Sequence, residues 1–230
     1  DHTAVSTSLY SFTDILYNLP GKFTMRRCNQ CGLMYLSPRP TPKSIAFYYP
    51  EDYTSYRPPI SNERLALMRW IRQRKLQKRR LLIERYSKRK NGVILDVGCA
   101  TGLFLDEMIR FGWQGFGIEP IESAARFART HFEVFQRMLS NAPYPTNFFD
   151  AITFWDVLEH TFSPKETLVQ TASLLRPDGI VAISVPNWDS WERHWFGRHW
   201  QGFDPPRHLY VFTRATLTKL LEEAGFTVLE

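Results

Sequence analysis

Val93-Ile94-Leu95-Asp96-Val97-Gly98-Cys99-Ala100-Thr101-Gly102 is the stretch that decides the fold. Its first five residues, apolar except for Asp96, read as a short buried strand. Two glycines then make a turn, and residues 103–111 continue with helical spacing. This order puts main-chain N–H groups at a helix N-terminus, where a ligand can approach the backbone closely. A strand over residues 114–118 completes one βαβ unit. A helix over 123–131, a short strand near Val134, a strand over 151–155, a helix over 164–175 and a strand over 180–185 continue the alternation. The rhythm predicts an α/β fold, a Rossmann-like doubly wound and mostly parallel sheet with helices on both faces. Thr213 then caps a helix running to Ala224, and Phe226 is expected to open one more strand.

The turn also limits its ligand. A dinucleotide fingerprint needs glycine at its third and sixth positions so that a pyrophosphate can rest on the backbone, and here those places hold Ala100 and Leu103. Asp96 would repel a pyrophosphate but can hold an ammonium by a charge-assisted hydrogen bond. A second acid, Glu119, ends the next strand about 20 residues on, where a carboxylate can accept from ribose hydroxyls. An adenosine joined to an amino acid, as in S-adenosylmethionine, meets both demands.

These residues resemble the class I S-adenosylmethionine-dependent methyltransferases. The segment 93–102 is similar to the family's first motif, and Gly117-Ile118-Glu119-Pro120 to its ribose-binding acidic corner. Residues 149–160 are similar to the motif around the fourth strand, and Leu175-Arg176-Pro177-Asp178-Gly179 to the turn before the fifth. The resemblance covers residues 91–230. It implies that Asp96, Gly98, Cys99, Ala100, Thr101 and Gly102 line the methionine part of the cofactor and that Glu119 and Pro120 lie at the ribose. Met138 and Leu139 would lie in the neighbourhood of the adenine, and Trp155 is also expected at the cofactor.

Moving a methyl from a sulfonium needs alignment and, for hydroxyl, amine or carbon acceptors, removal of a proton. His160, following the fourth strand with Glu159 beside it, is the candidate base; it can equally be a packed residue under the cofactor. Asp156, Glu159 and His160 resemble an acidic-x-x-Glu-His cluster of ubiquinone-type O-methyltransferases, in which a divalent metal can take part, although Asp stands where Glu is usual. The aromatic segment 188–212 interrupts the α/β rhythm and reads as a lid. In it Trp195, Trp200, Arg207 and His208 are candidates for holding a ring, a sugar face or an anionic group of the substrate, or for completing the core.

The chain therefore divides into a small loop-rich module (residues 1–59), a linker helix (60–90) and the cofactor-binding domain (91–230). Cys28 and Cys31 have the spacing of half a zinc site, and their surroundings resemble the zinc-ribbon extension of such methyltransferases. The rest of that site would precede Asp1, and the expected closing strands would follow Glu230, so zinc is expected mainly in a longer chain, with His2 the one nearby extra ligand here. A redox pair or a plain turn would use the same two cysteines. Three cysteines form no disulfide framework, which favours a reducing cytoplasm. No apolar run approaches the roughly 20 residues of a membrane-spanning helix. The net charge of +6 is concentrated in residues 60–90, which carry +10 and leave −4 elsewhere. Leu65, Met68, Ile71, Leu76, Leu82, Ile83 and Tyr86 are expected on one inward face there, with Arg and Lys on the other. The basic face suits a solvated linker, or a surface for RNA, acidic lipid or an anionic substrate. A small-molecule or glycan-type acceptor is the leading expectation. An RNA or protein methyltransferase, or a non-catalytic scaffold of the same fold, are the alternatives; nothing in the sequence sets an oligomeric state.

Overall fold

The apolar run at 93–97 forms strand β4 (Val93–Val97), and its neighbours follow from the same local pattern. β5 (Gln114–Ile118), β6 (Glu133–Phe135), β7 (Phe149–Trp155) and β8 (Leu175–Ser184) join it in a five-stranded sheet ordered β6-β5-β4-β7-β8. β5 and β7 flank β4 in parallel, and β6 is parallel to β5. The chain runs outward from β4 through β5 to β6 and returns to the far side of β4 at β7. The carboxyl end of β4 thus lies at the switch point of an open α/β sheet, where ligands bind. Ile94, Leu95, Ala151, Ile152 and Phe154 are fully buried, as strands covered on both faces require.

The computed structural model describes residues 5–50 and 65–230. His2 and residues 51–64 lie outside them. The described residues form two compact units: 65–155 with 169–183, which hold this sheet, and 5–50 with 156–168 and 184–230. In the sheet unit, α2 (Leu103–Arg110) follows β4 and α3 (Glu122–Arg129) follows β5. β8 begins at Leu175, so the expected turn at 175–179 is strand. Pro177 is tolerated because β8 is an edge strand and a missing N–H there costs no ladder bond.

Helix α1 (Ala66–Ser87) differs from expectation in its faces. Of the residues expected inward, only Ile83 is buried and Leu76 packs partly on the core, while Leu65, Met68, Ile71 and Leu82 are exposed. Arginines take the inner positions. Arg80 donates to Glu107 (3.0 Å) and Glu84 (2.7 Å) with its guanidinium 3.6 Å from the Phe111 ring centre, and Arg79 lies 4.4 Å over Trp155. Their stems cover apolar surface while their heads find acids and rings.

The second unit is more regular than expected. β1 (Ser6–Phe12), β2 (Phe23–Cys28) and β3 (Met34–Leu36) form an antiparallel meander, and β9 (Tyr210–Val211) pairs with β3. Phe12, Phe23, Met25, Met34, Leu36 and Val211 pack with Trp200 and Phe203 in one core. β1 carries small hydroxyls at its outward positions and β3 spans three residues, so neither shows a period in sequence. Of the remaining helices, α4 (Pro164–Leu174) precedes β8, α5 (Trp191–Phe196) lies in the aromatic segment, and α6 (Arg214–Glu223) starts at a capping box. There Thr213 Oγ1 accepts from Thr216 N at 3.0 Å, and Thr216 Oγ1 from Thr213 N at 2.9 Å. Residues 226–230 are irregular backbone, so Phe226 opens no strand.

Candidate active site

At the end of β4, Gly98 (φ 70°), Ala100 (φ 48°) and Gly102 (φ 81°) turn the chain through left-handed conformations into α2. Only glycine enters these freely, and Ala100 is held there by its N–H, which donates to Glu119 Oε2 at 2.9 Å. Glu119 Oε1 accepts from Ile121 N at 2.9 Å, and the N–H groups of Gly98 and Cys99 both point at the Ile118 carbonyl. Glu119 is thus pinned across the turn with one lone pair of each oxygen in use and others open. Gly117 keeps this corner tight, since a Cβ there would lie 2.6 Å from Cys99 Sγ.

Asp96 is buried and its Oδ1 accepts from Thr153 Oγ1 at 2.6 Å. Burial pushes its carboxyl up to about 7, Glu119 adding to the rise while Thr153 and Arg79 oppose it. Burial likewise raises Glu119. Two desolvated carboxylates beside one glycine turn, with no lysine or arginine hydrogen-bonded to either among the described residues, make surroundings suited to a cationic, hydroxyl-bearing ligand. Cys99 is buried with its thiol held far above the usual range by burial, so it acts as a packed residue. Thr101 and Leu139 are buried, whereas Pro120 and Met138 are exposed. Glu119 N donates to the Phe135 carbonyl, which sets Met138 three residues beyond the acidic corner. Trp155 is half-buried, and its Nε1 has no partner among the described residues.

In the other unit, Glu159, His160 and His208 form a second cluster. The His160 and His208 rings meet edge to face at 4.6 Å, and His208 Nε2 lies 4.0 Å from Glu159 Oε1. His160 Nδ1 is 3.0 Å from both Tyr49 Oη and the Arg207 carbonyl, and His208 Nδ1 is 2.9 Å from the Gly202 carbonyl. A proton on each Nδ1 satisfies these carbonyls and leaves each Nε2 as the nitrogen with the lone pair. Burial lowers both imidazoles, His160 well below its ordinary value, so both are neutral at pH 7. Glu159 is fully buried, neither of its oxygens has a hydrogen-bond partner among the described residues, and burial pushes its carboxyl up to about 8. One ligand atom from each of the three residues lies within 4.8 Å of the others, a donor set that fits a divalent cation. Asp156, also at a positive φ, accepts from Ser184 Oγ at 2.9 Å.

Two expected substrate residues are placed elsewhere. Arg207 is fully buried and its guanidinium is committed to Asp14 (2.7 Å), Asp204 (2.7 Å) and the Tyr48 carbonyl (3.0 Å), so no donor is left for an anionic substrate. Trp200 belongs to the core under β1–β3. Trp195 is exposed on α5, and His208 joins His160. Cys28 is buried and Cys31 exposed; among the described residues no third ligand completes a metal set with them. Tyr49, Asp14, Thr153 and Arg79 are not singled out in sequence, and only folding gives them their roles.

Residues 68–230 match the family described as Methyltransferase domain. Among curated relatives, the ubiquinone biosynthesis O-methyltransferase of Rhodopseudomonas palustris (strain BisA53) is 24% identical over 152 residues, 57% of this chain and 60% of that protein. The enzyme of the same name from Alkalilimnicola ehrlichii is 36% identical over 104 residues, 41% of each chain. The chain therefore spans about half the length of these relatives. Among solved structures, Burkholderia thailandensis 1,6-didemethyltoxoflavin-N1-methyltransferase, determined with 1,6-didemethyltoxoflavin and S-adenosylhomocysteine bound, aligns with a TM-score of 0.61 at 18% identity. The alignment covers 96% of this chain and 90% of that one, a likeness of fold.

Proposed function

Because this chain belongs to the methyltransferase-domain family, we propose that it is an S-adenosylmethionine-dependent enzyme that methylates a small molecule. The observation that carries this reading is the pair of buried carboxylates at the glycine turn. Asp96 receives the ammonium of the cofactor, Glu119 the ribose hydroxyls through its open lone pairs, and residues 98–102 the methionine chain. Titration calorimetry with S-adenosylhomocysteine tests it: the folded chain binds, and Asp96→Ala binds far more weakly. No heat with a folded sample overturns it.

For the acceptor, the ubiquinone and toxoflavin names of the relatives support an oxygen or nitrogen on a planar ring. His160 Nε2, held as the free lone pair by the Nδ1 contacts, takes the proton that such an acceptor gives up. His160→Ala then lowers turnover by about 100-fold or more while cofactor affinity holds. Full turnover would remove His160 from the reaction. Trp195 is the remaining aromatic for stacking on the ring.

A second reading of the cluster rests on the unpartnered Glu159 carboxylate. Glu159, His160 and His208 would hold a divalent cation, which supplies Lewis-acid polarisation of an acceptor oxygen. Elemental analysis of the purified chain and turnover after chelation decide between the two, since a base alone is indifferent to chelators. Three free thiols suit a reducing, cytoplasmic setting.

A further inference from the structure

Helix α1 has an outer stripe as ordered as its inner one. Leu67, Trp70, Ile71, Leu81 and Leu82 fall on one face of the helix and are all exposed, Leu67 by 64% and Trp70 by 55%. Arg74 and Lys78 stand between the two apolar groups on the same stripe, Arg85 follows Leu82 on it, and all three are exposed. The stripe contains no acid: Glu84, the one acidic residue of α1, is turned inward to Arg80. Large apolar side chains and cations are therefore interleaved along about 20 residues of one helix face.

Occupants can be ranked by what they satisfy. A nucleic-acid backbone would use the three cations and leave five apolar side chains in water. A second copy of α1 would bury the apolar groups but set cations against cations. A membrane surface rich in anionic phospholipid satisfies both, taking the apolar groups to the depth of the acyl boundary while the Lys and Arg stems reach headgroup phosphates. Among the described residues no helix is long and apolar enough to cross a membrane. We propose that the outer stripe of α1 lies flat on an anionic lipid surface.

The test is sedimentation of the whole chain with vesicles of phosphatidylglycerol and phosphatidylcholine, against vesicles of phosphatidylcholine alone. Binding is expected only to the first. At about fivefold per cation, Arg74→Gln, Lys78→Gln and Arg85→Gln together weaken it by about 100-fold. Leu67→Ser with Ile71→Ser weakens it at least tenfold in the same buffer, and Trp70 accounts for quenching by brominated lipid that Trp70→Phe loses. Circular dichroism confirms that the variants keep their helix content. The proposal is overturned by absence of sedimentation, by binding that the serine pair leaves unchanged, or by a concentration-dependent dimer that the serine pair dissolves.

Discussion

Lowering the pH from 8 to 5 is expected to weaken S-adenosylhomocysteine binding about 100-fold, and the cause is Asp96. In the free chain its carboxyl titrates at about 7 because burial penalises the charge more than the Thr153 hydrogen bond and Arg79 favour it. An ammonium beside Asp96 stabilises only the carboxylate, so the bound form is ionised. At pH 5, two units below 7, about one free molecule in a hundred carries the carboxylate, which corresponds to about 2.7 kcal/mol of lost affinity. Above pH 7 the dependence flattens. At pH 6 binding releases close to one proton, so calorimetry in two buffers of different ionisation enthalpy yields that number directly. Glu119 is also raised by burial, and Asp96→Asn separates the two: the variant binds more weakly at pH 8 and loses most of the slope. Thr153→Val removes a bond that favours the carboxylate and shifts the rise to higher pH. Equal affinity at pH 5 and pH 8, or an Asp96→Asn variant that keeps the full slope, refutes the argument.

Glu119→Gln leaves either Ala100 N–H or Ile121 N–H facing an amide N–H, and at about 1–3 kcal/mol for the lost acceptor S-adenosylhomocysteine affinity falls about 5- to 150-fold. Calorimetry showing unchanged affinity would move the ribose elsewhere. Gly117→Ala places a Cβ 2.6 Å from Cys99 Sγ and destabilises by about 1–3 kcal/mol in urea titration, and Cys99→Ala in the same chain restores part of the loss. If the two losses simply add, the close approach is not the cause. Asp14→Ala strips Arg207 of one of its two buried carboxylates and costs about 3–5 kcal/mol in the same assay, whereas a loss under 1 kcal/mol would show that Asp204 is the carboxylate that holds the guanidinium.

What was legible in the sequence is what is local in it. β4 and β5 occupy the residues expected because an apolar run bounded by glycine needs no distant partner to be recognised. The turn proposed to hold the cofactor is local in the same way, with seven consecutive residues and one acid at the end of the next strand brought together by it. Arg207 shows the opposite. Beside two prolines in an aromatic segment it reads as a free cation, and the Asp14 that claims it lies 193 positions away. α1 inverted for a similar reason, since an arginine can sit inward only where an acid such as Glu107 waits, and nothing within the helix announces Glu107. β1 and β3 are fixed by pairing and by the aromatic core that Trp200 and Phe203 complete, not by any period of their own.

The contrast bears on how such a chain can change its acceptor. The proposed cofactor end is one continuous turn whose glycines, strained Ala100 and two carboxylates depend on each other within about 20 residues, so a change there is expected to cost binding and folding together. The His160 cluster is assembled from separated segments: Tyr49 from the N-terminal region, Glu159 and His160 from the turn after β7, and Arg207 and His208 from the approach to β9. Each contributor can be exchanged while the cofactor turn stays intact. Alterations at Tyr49 or His208 are therefore expected to change which acceptor is used before they change whether S-adenosylhomocysteine binds. A Tyr49→Phe chain, in which the Arg207 carbonyl still holds the His160 ring, separates the two: its cofactor affinity stays at the parent value while its turnover responds to the acceptor offered.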